Sequence, residues 1–169
     1  VGSLGRHHAR LYAALAAAGE VQLAGVFDTN RATAEQIARD YHTQAFASVE
    51  EAADDADALS VVTPTVTHHE LAARLLRRDR HVLVEKPITH TAEQADELVQ
   101  LAQDRNLVLQ VGHVERFNPV FTYLESVARE PRFIETHRLS PYPKRSTDVG
   151  VVLDLMIHDL DIVLAFVKS

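Results

Sequence analysis

The chain of 169 residues is 46% hydrophobic and 24% charged, the composition of a globular protein with room for one domain or slightly more. A net charge of −7 argues against nonspecific binding to nucleic acid or to an anionic membrane, and no apolar run approaches the roughly 20 residues of a membrane span. Cysteine is absent, which excludes disulfides, thiol catalysis and cysteine-ligated metals and predicts a cytoplasmic protein.

The first stretch, Gly2-Ser3-Leu4-Gly5, leads directly into an alanine-rich segment that predicts a helix ending at Gly19. A glycine turn that opens a helix favours phosphate, because free N–H groups and the helix dipole point at the anion. The two glycines match the second and third of the fingerprint G-x-G-x-x-G, although a helix start without a ligand is the alternative. The first glycine and strand would precede Val1, and the only methionine is Met156, so we expect the N-terminal start to be missing.

The apolar segment 21–27 predicts a strand that ends at Asp28, about 20 residues after the glycines. An acid at this position accepts hydrogen bonds from the ribose hydroxyls of NAD and repels the 2′-phosphate of NADP. We therefore predict a Rossmann half-domain that binds NAD, without excluding NADP, because Arg31 lies nearby. The alternative is that Asp28 caps the next predicted helix, 31–41, a role for which Asn30 is equally suited.

From residue 45 to residue 111 strand-like and helix-like segments alternate, which is typical of a parallel sheet with right-handed crossovers. Capping boxes at Ser48–Glu51, Thr67–Glu70 and Thr91–Gln94 predict three of the helix starts. The predicted strands are 45–46, 58–63, 81–84 and 107–111.

Lys86 follows the predicted strand 81–84 within Glu85-Lys86-Pro87, and the proline ends that strand because it has no N–H group for the sheet. Open α/β sheets bind ligands at the carboxyl ends of their strands. Lys86 is therefore a candidate proton donor, base or anion clamp at the rim of a crevice. A surface lysine that closes a strand is the alternative.

After Gly112 the pattern changes, and we divide the chain into a dinucleotide-binding domain, 1–114, and the beginning of a second domain, 115–169. Asn118-Pro119 predicts a capped helix to about residue 129, and residues 132–139 alternate like a strand with one exposed face.

The polar loop 140–148 brings Lys144 and Arg145 together, a pair that suits a diphosphate unless the loop is simply solvated. The apolar segment 149–167 then predicts one long helix with Asp154, His158 and Asp161 on one face. A wet helix face is the alternative, but the other faces are apolar, so we expect this stripe to line a crevice. The ten histidines lack the spacing of a zinc motif, and no metal site is predicted.

Five segments resemble the glucose–fructose oxidoreductase / inositol dehydrogenase / MocA family: GSLGRHHAR, TPTVTHH, VEKPIT, GHVERFNP and VLDLMIHDLDIV. Within it the chain is most similar to the UDP-N-acetylglucosamine 3-dehydrogenase branch, chiefly in HRLSPYPKRSTDVGVVLDLMIHDLDI. The resemblance implies a Rossmann-like, doubly wound parallel sheet without its first strand, then the start of an α/β domain with a mostly antiparallel sheet. Because that domain breaks off at Ser169, we expect the motifs to be present without a competent enzyme.

The implied function is an NAD(P)-dependent oxidoreductase that moves a hydride between the nicotinamide and a sugar or nucleotide-sugar hydroxyl, at C3 of UDP-N-acetylglucosamine, in a homo-oligomer. The alternative is a non-catalytic dinucleotide-binding regulator or redox sensor on the same fold. A sensor does not need Lys86, Asp154 and His158 together, so we favour the enzyme.

The implied catalytic residues are His158 as the base, Lys86 to polarise the reacting oxygen and relay the proton, and Asp154 to bind a neighbouring hydroxyl or orient the imidazole. A cis bond is expected between Lys86 and Pro87. The expected cofactor-binding residues are Gly2, Ser3, Leu4, Gly5, Asp28, Thr63, Pro64, His68, Glu85 and Lys86. The expected substrate-binding residues are Arg116, Lys144, Arg145, Asp154 and His158.

Overall fold

The structure, a computed structural model, describes residues 1–139 and 150–167, so Lys144 and Arg145 lie outside the described residues. Within these ranges helices and strands alternate along the chain. The helices are α1 (Gly5–Ala17), α2 (Arg31–Asp40), α3 (Val49–Asp55), α4 (His68–Arg77), α5 (Ala92–Asp104), α6 (Pro119–Val127) and α7 (Ile157–Phe166). The strands are β1 (Gly25–Val26), β2 (Gln44–Ala45), β3 (Ala58–Val61), β4 (His81–Val84) and β5 (Leu109–Val111).

The strands form two parallel sheets, one of β1 and β2 and one in the order β3-β4-β5. In the larger sheet Val61 lies opposite Val84, and Val84 lies opposite Val111, so the carboxyl ends of the three strands are level. A helix connects each pair of parallel neighbours, as such pairs require. The prediction of a parallel α/β sheet is confirmed.

A cavity of about 920 Å³ lies between β1 and β3, with α1 as a third wall. Apolar side chains line it, among them Ala9, Val26 and Val61. A parallel strand placed between β1 and β3 would join the two sheets into one. The cavity therefore has the position that the first strand takes in the predicted doubly wound sheet.

Two apolar clusters hold the sheets against their helices. The larger cluster packs α4 and α5 on β3-β4-β5, and Leu76, Val84 and Leu98 have no exposed surface there. The smaller cluster packs Ala9 and Ile37 against β1. Burying a large aliphatic side chain stabilises a fold by about 1.5–3 kcal/mol, so these clusters fix the strand ends that carry the site.

Three predicted caps are present. Ser48 accepts a hydrogen bond from the Glu51 N–H at 3.1 Å, and Thr91 accepts one from the Gln94 N–H at 3.3 Å. Asn118 caps α6 by accepting from the Val120 N–H, with proline in the first turn, as predicted.

The predicted capping box at Thr67–Glu70 is wrong. A 3₁₀ turn, Thr65–Thr67, runs directly into α4 and leaves the Thr67 backbone helical. A cap needs an extended backbone for its side chain to reach the first N–H groups. The Thr67 hydroxyl donates instead to the Pro64 carbonyl, 2.8 Å away.

One prediction for the second domain is also wrong. Residues 132–139 form no strand, and no described strand lies beside them to pair with their N–H and C=O groups. The helix predicted over 149–167 is confirmed from residue 151 to residue 166, with a π turn at Val152–Met156 that continues directly into α7. All described strand pairs are parallel, so the implied antiparallel sheet and the domain boundary at residue 114 remain predictions.

Candidate functional site

The glycine turn opens α1 at the edge of the sheets. Leu4 occupies the N-cap and makes no side-chain capping bond, and Ser3 and Leu4 are exposed. A Cβ on Gly2 would meet no atom within 4 Å, whereas one on Gly5 would touch Val1 and Val62 at 3.5–3.8 Å. The exposed turn before α1 and the close contact of Gly5 with Val62 fit the binding of a dinucleotide pyrophosphate at a helix N-terminus.

Asp28 lies two residues beyond β1, at the carboxyl end of that strand. Its carboxylate accepts a hydrogen bond from the Asn30 N–H at 2.8 Å. Burial raises the pKa of Asp28, and the bond from Asn30 lowers it. Aspartate side chains titrate near about 3.9, well below neutral pH, so the carboxylate is ionised, as ribose binding requires. Asn30 caps α2 by accepting from the Thr33 N–H, which settles that alternative.

Arg31, the nearby cation, is already engaged. Its guanidinium donates to the carbonyls of Ala45 and Phe46 at 3.0 and 2.9 Å and to Glu35 at 2.8 Å. A cation held in this way is less free to bind the 2′-phosphate of NADP, so the local chemistry fits NAD better.

Lys86 connects the Rossmann sheet to the helical segment near the end of the chain. It lies two residues beyond β4, and the Lys86–Pro87 bond is cis, as expected. Its Nζ donates to the Asp154 carboxylate at 3.0 Å and to the Asp154 carbonyl at 2.8 Å. Each of the two side chains is 17% exposed, so the pair is largely shielded from water.

Asp154 lies within the π turn Val152–Met156 and presents both its carboxylate and its carbonyl to the Lys86 ammonium. Such turns occur frequently at functional sites. Of the predicted stripe, Asp154 contacts Lys86 and Asp161 contacts Arg116.

His158 lies in the first turn of α7 and is half-buried. Its Nδ1 is buried and has no hydrogen-bond partner among the described residues. Burial lowers the pKa of His158 below its ordinary value, the charges of Lys86, Arg138 and His113 lower it further, and Glu115 opposes them. A neutral imidazole is suited to accept a proton.

Arg116 pairs with Asp161 through two bonds, Nε to Oδ2 at 2.6 Å and Nη2 to Oδ1 at 2.8 Å. Its guanidinium also lies over the Phe121 ring, 5.7 Å from the centroid. These contacts anchor α7 to the turn Val114–Phe117, which precedes α6. The expectation that Arg116 binds substrate remains a prediction.

His68 joins the loops that follow β3 and β4. Its residue surface is 1% exposed, and its ring nitrogens lie 2.8 Å from the Pro87 carbonyl and 2.9 Å from the Thr63 carbonyl. Thr63 and Pro64 themselves are exposed beside the site. His68 therefore shapes this edge of the site, and nicotinamide contacts by these three residues remain predictions.

Sequence reasoning missed His8, whose Nε2 lies 3.0 Å from the buried Glu85 carboxylate. The residue stands in the family-like segment GSLGRHHAR, but nothing in the sequence indicates that it lies beside Glu85.

In the described ranges, 1–139 and 150–167, no group of three or more acidic or histidine side chains is arranged to hold a metal ion. No helix in that part of the chain is long and apolar enough to cross a membrane.

Three known proteins are similar to this chain. UDP-N-acetylglucosamine 3-dehydrogenase from Acidithiobacillus ferrooxidans is 46% identical over 165 residues, 97% of this chain and 51% of that protein. A solved structure of that dehydrogenase matches with a TM-score of 0.92 at 44% identity, covering all of this chain and 55% of the other. Inositol 2-dehydrogenase from Rhizobium meliloti is 31% identical over 172 residues, 95% of this chain and 51% of that protein. GenD2 from gentamicin A biosynthesis, solved in complex with NAD, matches with a TM-score of 0.83 at 25% identity, covering 99% of this chain and 51% of the other.

The chain thus spans about half the length of the relatives it matches. A family model described as an oxidoreductase family with an NAD-binding Rossmann fold, GFO_IDH_MocA, matches residues 1–113. These residues include the glycine turn, Asp28 and Lys86. On that match and on the Acidithiobacillus relative, the chain belongs to the glucose–fructose oxidoreductase / inositol dehydrogenase / MocA family of NAD-binding oxidoreductases.

Proposed function

We propose that the complete product of the gene is an NAD-dependent dehydrogenase that oxidises the C3 hydroxyl of UDP-N-acetylglucosamine. The observation that carries the proposal is the contact of the Lys86 ammonium with Asp154, four residues before His158, at the carboxyl ends of the strands. The 46% identity to a UDP-N-acetylglucosamine 3-dehydrogenase supports the substrate. The test is the appearance of NADH absorbance when the gene product is mixed with NAD and a panel of free sugars and nucleotide sugars.

Bound NAD supplies the hydride acceptor, and the side chains of the chain handle the proton. In the proposed mechanism His158 takes the proton from the reacting hydroxyl as the carbon is oxidised. Lys86 has three N–H donors, two of which are directed at Asp154, so the third is left to polarise the substrate oxygen. Asp154 keeps the ammonium in place, a role that the sequence did not suggest.

The regulator or sensor alternative is less well supported. Shielding a lysine and an aspartate from water carries a desolvation cost, and the binding of a dinucleotide by a sensor does not require such a pair. Proton transfer in the proposed mechanism does require it. We also propose a cytoplasmic homo-oligomer, on the composition and the family resemblance alone.

We expect the gene product to bind NAD at least about tenfold more tightly than NADP, because the ionised Asp28 accepts ribose hydroxyls and repels a 2′-phosphate. Asp28→Ser should narrow that ratio, while Asp40→Ala, an exposed change at the end of α2, should leave it unchanged. The measurement is Kd for both nucleotides by titration calorimetry. Equal or tighter binding of NADP by the unmodified protein would contradict the assignment of Asp28.

The substrate class depends on Lys144 and Arg145, the two adjacent cations of the segment 140–148. If they bind the diphosphate, Lys144→Ala with Arg145→Ala should raise KM for UDP-N-acetylglucosamine by about tenfold or more, because charge-assisted bonds are lost. Arg129→Ala with Arg132→Ala removes the same charge from another part of the second domain and serves as the control. An unchanged KM in the first variant, or no turnover of any UDP-sugar by the unmodified protein, would reject this substrate class.

A further inference from the structure

Glu85 is the only buried acid among the described residues, with 8% of its surface exposed. Glu85 directly follows β4 and directly precedes Lys86, the residue with the proposed catalytic ammonium. Burying a carboxylate is costly unless hydrogen bonds replace the lost water. The hydrogen-bond partners of Glu85 therefore indicate the role of its buried carboxylate.

Three elements converge on the Glu85 carboxylate. His8, on α1, places Nε2 3.0 Å from Oε1, and the Lys86 N–H donates to Oε2 at 3.2 Å. Gly112, directly after β5, makes the room, because a Cβ there would lie 2.9–3.2 Å from the carboxyl atoms. The carboxylate thus connects α1, the backbone at Lys86 and the end of β5.

The direction of the His8 bond follows from the charge of its partner. An ionised carboxylate only accepts hydrogen bonds, so Nε2 of His8 must be the donor. Burial raises the pKa of Glu85, but the bonds from His8 and the Lys86 N–H, with the charges of both residues, outweigh burial and lower it. The donor from α1 therefore helps to keep this carboxylate ionised and oriented.

We propose that His8 is a positioning residue, which through Glu85 fixes the backbone of Lys86 relative to α1, the helix that carries the dinucleotide turn. The inference rests on the proposed function. Lys86 is then held at two points, by Asp154 at its ammonium and by Glu85 at its backbone. His8 itself takes no part in the proton transfer, and it acts through the carboxylate.

The test compares His8→Leu, His8→Gln and the control His7→Leu in the complete gene product. Leu cannot donate a hydrogen bond, Gln places an amide N–H near the position of Nε2, and His7 is an exposed neighbour on the same helix. We expect His8→Leu to lower kcat by about 10- to 100-fold, as small displacements of catalytic groups do, with Kd for NAD within about threefold. His8→Gln should restore most of the lost kcat, and His7→Leu should resemble the unmodified protein.

A second readout does not depend on turnover. Without NAD or substrate, an amine-reactive label followed by peptide mass spectrometry reports how accessible the Lys86 ammonium is, with Lys168 as the internal reference. We expect His8→Leu to change the labelling rate of Lys86 relative to Lys168, and His8→Gln to preserve it. If His8→Leu does not fold, His8→Asn, whose shorter side chain cannot reach Glu85, takes its place.

Unchanged kcat and unchanged labelling of Lys86 in the Leu variant would overturn the proposal. Equal losses in the Leu and Gln variants, with an equal fall in Tm, would also overturn it, because they indicate packing. If the unmodified protein oxidises no sugar, the proposed function fails, and the labelling of Lys86 then decides the role of His8 alone.

Discussion

Replacing Lys86 by methionine is expected to lower kcat for sugar oxidation by about 10²–10⁴-fold, the usual cost of losing a group that moves or polarises a proton. Methionine nearly matches the length of lysine but has no ammonium to place on the substrate oxygen. The change also leaves the Asp154 carboxylate without its partner at 3.0 Å. The measurement is kcat of the complete gene product with NAD and UDP-N-acetylglucosamine both saturating.

Two controls separate chemistry from cofactor binding. Kd for NAD of the Lys86→Met protein is measured separately, because Lys86 is also an expected cofactor-binding residue, and kcat at saturating NAD then reports the chemical step. Lys168→Met replaces a lysine to which the proposed mechanism gives no role, and it serves as the matched control. If kcat of Lys86→Met stays within about threefold of the unmodified value, Lys86 does not polarise the reacting oxygen.

The sequence predicted those parts of the site that depend on local signals. A proline that stops a valine-rich strand predicted Lys86 at a strand end, and an acid after an apolar strand predicted Asp28 at another. Caps at Ser48 and Thr91 were predicted correctly because their bonds join residues only three apart. Each of these signals depends on a few neighbouring residues, so a single sequence is sufficient to predict the structure there.

Other contacts depend on residues that are distant in sequence. Lys86 and Asp154 are 68 residues apart, and His8 and Glu85 are 77 apart. Periodicity reports which face a residue occupies and says nothing of what lies opposite. The paired acid in Arg116–Asp161 was likewise seen only as one member of a helical stripe, although it anchors α7.

The wrong predictions have the same origin. Thr67 has the residue types of a capping box, but the 3₁₀ turn before it decides its backbone conformation. Residues 132–139 alternate like a strand, yet a strand exists only where a neighbour accepts and donates its hydrogen bonds. Local preference is overridden in both places by what precedes or surrounds the segment.

His158→Ala is expected to lower kcat by about 10²–10⁴-fold as well, because the oxidised hydroxyl would lose its base. His137→Ala, which removes an exposed histidine, is the matched control and should leave kcat unchanged. Kd for NAD is measured separately, as for Lys86.

The pH dependence tests the assignment more sharply than the loss of rate. His158 works as a base only when neutral, so kcat for oxidation is lost as the pH falls through its pKa. Burial and the charges of Lys86, Arg138 and His113 lower that pKa from its ordinary 6.5, so the acid limb should lie below pH 6.5. Arg138→Met removes one of these charges and should move the limb towards higher pH. A limb that stays in place in this variant, or persists in a His158→Ala protein with residual activity, would assign the proton transfer to another group.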